Sequence, residues 1–370
     1  MPLSLGTATA QPGTIAYGEY PLVQHPVGGT DVLPVIIAQG RAAQGEADGP
    51  VFWVTAGIHG VEHAGIQVIH KLITPELVKD LRGTVIAIPA LNPAGLRTLN
   101  RQAYYHDGDP NRLFPDGRAR KPDPDKAPPS SLELAYGRLF EDIKKSANYF
   151  FDLHCISIGS LSFVFRDRVL YRPGDEAAKQ RAEATSAQME AMAQAYGHTV
   201  IADYSVNKYI DEKLHRSTTA AMATLAGIPA LTAELSSFFT PTPAVVNASL
   251  AGLRNVLRWA GMLPGEREPI TGIQVVDPGF PTRRRSVARV TEPCFVHHRV
   301  EPGDRVNIGD PLAEMRDAWG RVLGVLHSEY EGFVISRPRG ILYYPGEATL
   351  LMAIRDEEPL VGPYPEKFFE

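Results

Sequence analysis

Residues 55–65 read TAGIHGVEHAG, and three of the five residues from His59 to His63 can ligate a metal. Two geometries are open. If the whole pentad is helical, His59 and His63 are i and i+4 neighbours that bind zinc with Glu62 as the base, the inverted H-x-x-E-H arrangement. If a strand ends at His59 and a helix starts after it, His59 and Glu62 are the ligands and a third comes from far along the chain. The second geometry fits better. VFWVTA at 51–56 is strand-like, and Gly57 and Gly60 suit a tight strand-to-helix turn rather than a helix interior. His63 then points elsewhere, as a polar core residue or a partner that orients a ligand.

The distant ligand is expected at the carboxyl end of another buried strand, because such ends converge at one edge of an open α/β sheet. FFDLH supplies His154, preceded by Asp152. Two histidines and one carboxylate leave a fourth zinc position for water, the catalytic pattern rather than the structural one. Hydrolysis also needs a proton shuttle. TAEL at the end of another apolar run offers Glu234, and a carboxylate buried there needs a partner or a task. NPAGLRTLNR at 92–101 and DPNRLF at 109–114 add Arg101, Asn111 and Arg112. Two guanidiniums and an amide suit a carboxylate-bearing substrate and a developing oxyanion.

These residues need a scaffold. Segments 15–21 and 32–38 read as early strands, and 51–56, 84–91, 149–153 and 229–235 as apolar strands buried on both faces. Helical patterns run from HGVEHAG to about Leu72, and over 131–146, 175–196, 215–226 and 243–261. The helix at 131–146 starts at a Ser cap and is expected to bury Leu134, Leu139, Phe140 and Ile143. Residues 115–130, rich in Pro, Asp and Lys, are expected to form a long exposed loop. The alternation predicts an α/β fold with a mostly parallel central sheet flanked by helices, over residues 1–265. From 271 to 360 short strands and Gly/Pro turns predict a smaller all-β domain.

Taken together, G-x-H-G-x-E, N-P-x-G, D-x-N-R-x-F, D-L-H and the late T-x-E resemble the zinc carboxypeptidase superfamily, in its succinylglutamate desuccinylase/aspartoacylase branch. The motifs run in order from about residue 51 to 236. The resemblance implies one zinc per chain on His59, Glu62 and His154, and attack of a zinc-bound water with Glu234 as general base and acid. It also implies a substrate carboxylate held by Asn111 and Arg112. Arg101 falls near the arginine that polarises the scissile carbonyl, and Arg166 in SFVFRDR near an arginine that follows the D-L-H strand. The implied reaction is hydrolysis of a linear amide: removal of a small acyl group from an N-acyl amino acid or N-acyl diamino acid. Ectoine catabolism, through an N-acetyl-diaminobutyrate, is one pathway open to this branch. A zinc carboxypeptidase acting on peptide C-termini shares the same metal set and stands as the alternative.

VEPGDRVNIGDPLAEM resembles half of a biotinyl/lipoyl-type β-sandwich, but residues 271–360 contain no lysine to carry a prosthetic group. A domain that narrows access to the zinc, and so disfavours long peptides, is the reading left. The 370 residues carry a net charge of -5, which argues against a nucleic-acid partner. Arg283-Arg284-Arg285 is the one compact basic run, and it reads as a solvated strand end. Two cysteines, no signal-like N-terminus and no apolar run of membrane-spanning length predict a cytoplasmic protein with no membrane partner. The partner expected is the small carboxylate-bearing substrate, and a homo-oligomer stays open.

Overall fold

The computed structural model describes residues 2–41, 49–119, 127–157, 159–236, 238–337 and 340–369. The middle of the loop expected at 115–130 lies outside them, and 117–119 and 127–128 are exposed. In chain order the main elements begin with β1 (Thr14–Gln24), β2 (Thr30–Gln39), β3 (Val51–Ala56), α1 (Ala64–Leu72), β4 (Thr84–Ile88), α2 (Pro93–Thr98) and α3 (Ser131–Ser146). They continue with β5 (Tyr149–Ile156), β6 (Phe163–Arg166), α4 (Glu176–Tyr196), β7 (Thr199–Ala202), β8 (Ala230–Ser236) and α5 (Pro243–Trp259). The rest is strand: β9 (Thr282–Arg289), β10 (Cys294–His298), β11 (Arg305–Val306), β12 (Pro311–Arg316), β13 (Val322–His327), β14 (Gly332–Ser336), β15 (Leu342–Tyr343) and β16 (Ala348–Arg355).

Twelve strands join in one mixed sheet, in the order β11-β14-β16-β9-β7-β6-β8-β5-β3-β4-β2-β1. The pairs β8/β5, β5/β3 and β3/β4 at its centre are parallel, as are β7/β6 and β9/β7. The outer pairs, and β6/β8, are antiparallel. The strands whose ends carry the candidate site thus lie within the central parallel block. A separate four-stranded sheet, β13-β12-β10-β15, packs in the C-terminal region. The two regions share a sheet through a single parallel partnership, Ala202 with Arg283.

The centre is apolar on both faces. Phe52, Val54, Val85, Phe150, Phe151, Leu231 and Ala233 are fully buried, as expected of strands covered on both sides. Helix α5 packs against both α1 and α4. α3 is capped by Ser130, whose Oγ accepts from the Glu133 N–H at 3.1 Å. Its buried stripe is Leu132, Ala135, Tyr136, Leu139, Phe140 and Ile143. Leu134 is half exposed instead, because it falls between the i, i+3 and i+4 positions of that stripe.

The helix expected over 215–226 is broken into three pieces: a 3-10 turn at Leu214–Arg216, an α-turn at Thr218–Ala221 and a π-turn at Met222–Ala226. Ser217 is extended and caps the middle piece through its Oγ, which accepts from Ala220 N–H at 3.2 Å. Among the described residues no helix is long and apolar enough to cross a membrane.

Candidate metal centre and active site

The turn after β3 is not helical. Gly57 has a φ of +67°, and α1 begins only at Ala64. Gly60 has no room for a side chain: a Cβ there would lie 2.0 Å from the Gly95 carbonyl carbon of α2. Gly60 and Gly95 thus press the two motif loops together, which explains why both motifs carry a glycine. The His63 ring turns to the Gly60 carbonyl, 3.1 Å from Nε2, and packs edge-on against Phe239.

His59, Glu62 and His154 form a buried group whose ligand atoms all lie within 4.8 Å of one another. His59 Nδ1 is 2.7 Å from Glu62 Oε1, and His154 Nδ1 is 3.1 Å from Glu62 Oε2. The far nitrogen of each ring faces an aspartate: His59 Nε2 lies 3.0 Å from Asp109 Oδ1, and His154 Nε2 2.9 Å from Asp152 Oδ2. Asp152 is itself fixed by hydroxyls, accepting from Thr55 at 2.7 Å and Thr218 at 2.5 Å. The Cys155 N–H donates to Glu62 Oε2 at 3.1 Å.

This wiring decides what the cluster can hold. If each imidazole donates its Nε2 proton to an aspartate, each Nδ1 presents a lone pair to the Glu62 carboxylate. Acceptor then faces acceptor at both contacts, and a bound cation would stabilise that arrangement. Burial alone would raise the Glu62 pKa, but His59 and His154 hold it well below the usual carboxylate range. Burial would lower that of His154, yet Asp152 and Glu62 push it well above the ordinary histidine value. Two imidazole nitrogens and a carboxylate, backed by two orienting aspartates, are a donor set that fits a divalent zinc with a position left open.

The other expected residues divide. Arg101 is brought to the cluster: Nε and Nη2 donate to Asp109 Oδ2 at 3.2 and 2.8 Å, and Nη1 lies 3.7 Å from Glu62 Oε1. Asn111 is buried, with its backbone N–H on Asp109 Oδ1 at 2.8 Å and its side-chain oxygen accepting from Thr218 N–H at 2.9 Å. Arg112 donates from Nε to the Glu212 carbonyl and from Nη1 to the Asn111 carbonyl, both at 2.8 Å. Glu234 is in register with His154 on the neighbouring strand, so both side chains stand on one face. Burial raises its pKa, against the lowering effect of His154.

Arg166 is not brought to this face. Phe165 and Arg166 alternate on β6, and Arg166 goes to the helix side, where Nη2 lies 3.4 Å from Glu190 of α4. The Arg283–Arg285 run is solvated only at Arg285: Arg283 is 4% exposed and the Arg284 side chain 16%. Asp109 escaped the sequence reading although D-x-N-R contains it. A carboxylate two residues before the Asn-Arg pair was the available signal.

Parallel strands thus bring two histidines and a glutamate into a group that could hold a metal ion, with Arg101 beside it. The profile of the succinylglutamate desuccinylase/aspartoacylase catalytic domain matches residues 48–260, and the chain belongs to that family. A curated relative, the N-alpha-acetyl-L-2,4-diaminobutyric acid deacetylase of Halomonas elongata, is 30% identical over 87 residues, 24% of this chain. The matched stretch spans about a quarter (24%) of that relative's length. The fold is similar to the product-bound ectoine utilization protein EutE (DoeB) of Ruegeria pomeroyi, with a TM-score of 0.68, 19% identity and 92% and 94% of the two chains covered. A succinylglutamate desuccinylase/aspartoacylase of Rhodobacter sphaeroides gives 0.67, 20%, 93% and 96%.

Proposed function

We propose that this chain is a zinc-dependent deacylase that hydrolyses the amide bond of a small, carboxylate-bearing N-acyl amino acid. The observation that carries the reading is the buried group of His59, Glu62 and His154, with an aspartate behind each histidine ring. His59, Glu62 and His154 would hold one zinc, which supplies Lewis acidity toward a water and a carbonyl.

The chain's own residues do the rest. Asn111 and Arg112 grip the substrate carboxylate through the amide NH2 and the outer guanidinium edge. Arg101, beside the ligand cluster, donates to the carbonyl oxygen as it gains charge. Glu234 takes a proton from the attacking water at its carboxylate. The water oxygen bonds to the carbonyl carbon, the C–N bond breaks, and Glu234 returns the proton to the leaving nitrogen.

Metal analysis of the purified chain should find one zinc per chain, with activity lost on chelation and restored by zinc. The zinc-loaded chain should hydrolyse members of a panel of N-acetyl, N-succinyl and N-aspartyl amino acids and spare a library of C-terminal peptides. Turnover of the peptides in place of the N-acyl amino acids would replace this reading with the carboxypeptidase one.

A further inference from the structure

The C-terminal region holds a cleft between β9 and β13 that encloses about 330 Å³, at the lower end of the range of small-molecule sites. It lies outside residues 48–260 matched by the family profile and shares no residue with the metal centre. β9 pairs along its length with β16, and on its other edge only Arg283 has a partner, in β7. β13 pairs with β12 and ends the four-stranded sheet. The cleft therefore runs between two strand edges that lack a neighbouring strand among the described residues. Of β13 it meets only Val325, Leu326 and His327, about 10 Å of strand, which is short for an added peptide strand and long enough for a small molecule.

Its floor is apolar. Val287 of β9 and Leu312 of β12 are buried there, with Val325 and Leu326 half-buried beside them. Its β9 side is cationic. Arg285 is exposed, and its guanidinium lies 4.7 Å from the Tyr330 ring centroid. That contact uses the face of the cation and leaves its N–H groups for another partner, and among the described residues no carboxylate pairs with it. Arg289 gives Nη1 to the Gly346 carbonyl at 2.5 Å. His327 adds a ring nitrogen, and Glu329 is the single acidic side chain of the lining. Between the two arginines Ala288 has a φ of +55°, which non-glycine residues rarely adopt. It is also the one residue from Thr282 to Arg289 without a partner in the ladder to β16. Backbone held in that region is strained, and strained residues gather at ligand clamps.

We propose that this cleft is a second binding site, for a small organic carboxylate with a flat apolar body. The body lies on Val287, Leu312, Val325 and Leu326. The carboxylate accepts parallel N–H bonds from Arg285, whose plane Tyr330 holds. Glu329, next to Tyr330, disfavours a second negative charge at that end. An anion without an apolar body gains nothing from the floor, and a neutral aromatic leaves the Arg285 N–H groups to water.

The test uses the zinc-loaded full chain with methyl-labelled valine and leucine, because the floor side chains then report directly by NMR. The probes are 3-phenylpropionate, its neutral isostere 3-phenylpropionamide, and propionate, which lacks the ring. 3-Phenylpropionate should shift the methyl signals of Val287, Leu312, Val325 and Leu326, with an affinity about 10-fold or more above either control. Arg285→Met should lower that affinity to about that of the amide, with the amide itself unchanged within about two-fold. Val325→Trp fills the cleft and should abolish the shifts at Val287 and Leu326. Arg285→Met, at an exposed position, serves if the Trp variant does not fold.

Shifts confined to Leu153 and Leu235, the neighbours of His154 and Glu234, would put the carboxylate at the metal centre and overturn the proposal. So would equal affinity for acid and amide, an acid affinity that Arg285→Met leaves unchanged, or no shift with any probe. None of these results bears on the deacylase reading, which turns on zinc and turnover.

Discussion

At the centre of the site, His59, Glu62 and His154 have a partner at each ring nitrogen and each carboxylate oxygen. Beside it, Arg112 and Arg284 are each tied through part of the guanidinium, by backbone carbonyls or by Asp203. A metal would need fixed lone pairs, and Asp109 and Asp152 hold the two rings from behind in a way that suits one. A substrate needs donors that are oriented but unspent, and in the proposed reading the partly anchored Arg112 supplies them. The contrast separates residues that hold the reagent from residues that choose what it acts on.

The largest effect should come from breaking the centre. His154→Ala removes one of three ligands, and metal analysis should show zinc lost with activity. The loss should exceed the about 10–100-fold fall in metal affinity expected of Asp109→Asn, which only loosens the His59 ring. His63→Ala should keep its zinc, because that ring faces the Gly60 carbonyl. Zinc lost from the His63 variant but kept in His154→Ala would bring back the all-helical pentad.

Glu234 sits between centre and rim. Glu234→Gln keeps shape and hydrogen-bonding size but removes the proton acceptor. Zinc and fold should survive while kcat falls by roughly two to four orders of magnitude. The base works ionised, and burial raises its pKa. The acid limb of the kcat/KM profile in wild type should therefore lie above the ordinary carboxylate range, with activity lost as pH falls through it, and vanish in the variant. Near-normal turnover in Glu234→Gln would sink its assignment.

How legible this was depends on sequence distance. The HGVEH turn, the D-L-H strand end and the T-x-E strand end each set their geometry locally, through a buried strand and a glycine turn. Counting residues is enough to find them, and the structure puts His59, Glu62 and His154 together. The rim was read less well. Arg166 and Arg284 look alike in sequence, each an arginine near the end of a strand. Which face each takes depends on the parity of β6 against β8 and of β9 against β7, set by pairings between segments far apart. The broken helix at 214–226 is similar. Its apolar period is helical, but Ser217 interrupts it so that Thr218 and Thr219 can reach Asp152 and Asp167.

Arg112→Lys tests the rim directly. The guanidinium uses Nε and Nη1 on backbone carbonyls, and in the proposed reading its remaining N–H groups meet the substrate carboxylate. A lysine cannot make both anchors and also grip a carboxylate with two parallel bonds. The free acid substrate should lose about 2–5 kcal/mol of transition-state binding, and its methyl ester much less. The acid-over-ester ratio in kcat/KM should therefore collapse. Equal losses on both would assign Arg112 to the carbonyl or to the fold and leave the anchor to another residue.

The smallest effect is expected at Arg166, and it checks the division of the sheet into two faces. Its guanidinium lies among the helices, with Nε lacking a partner among the described residues and Glu190, itself half exposed, as its ion-pair partner. Burial depresses its pKa against the pull of Glu190, so the desolvation is only partly repaid. Arg166→Met keeps most of the packed side-chain length and removes the charge. Stability should change by less than about 1 kcal/mol, because a partly exposed pair of this kind contributes little. kcat and KM should both stay within about two-fold, since exposed-pair changes of that size do not reach the opposite face. A thermal melt and one saturation curve suffice. A KM raised ten-fold with an unchanged melt would mean that Arg166 reaches the substrate after all, and that strand parity does not divide the arginines as drawn.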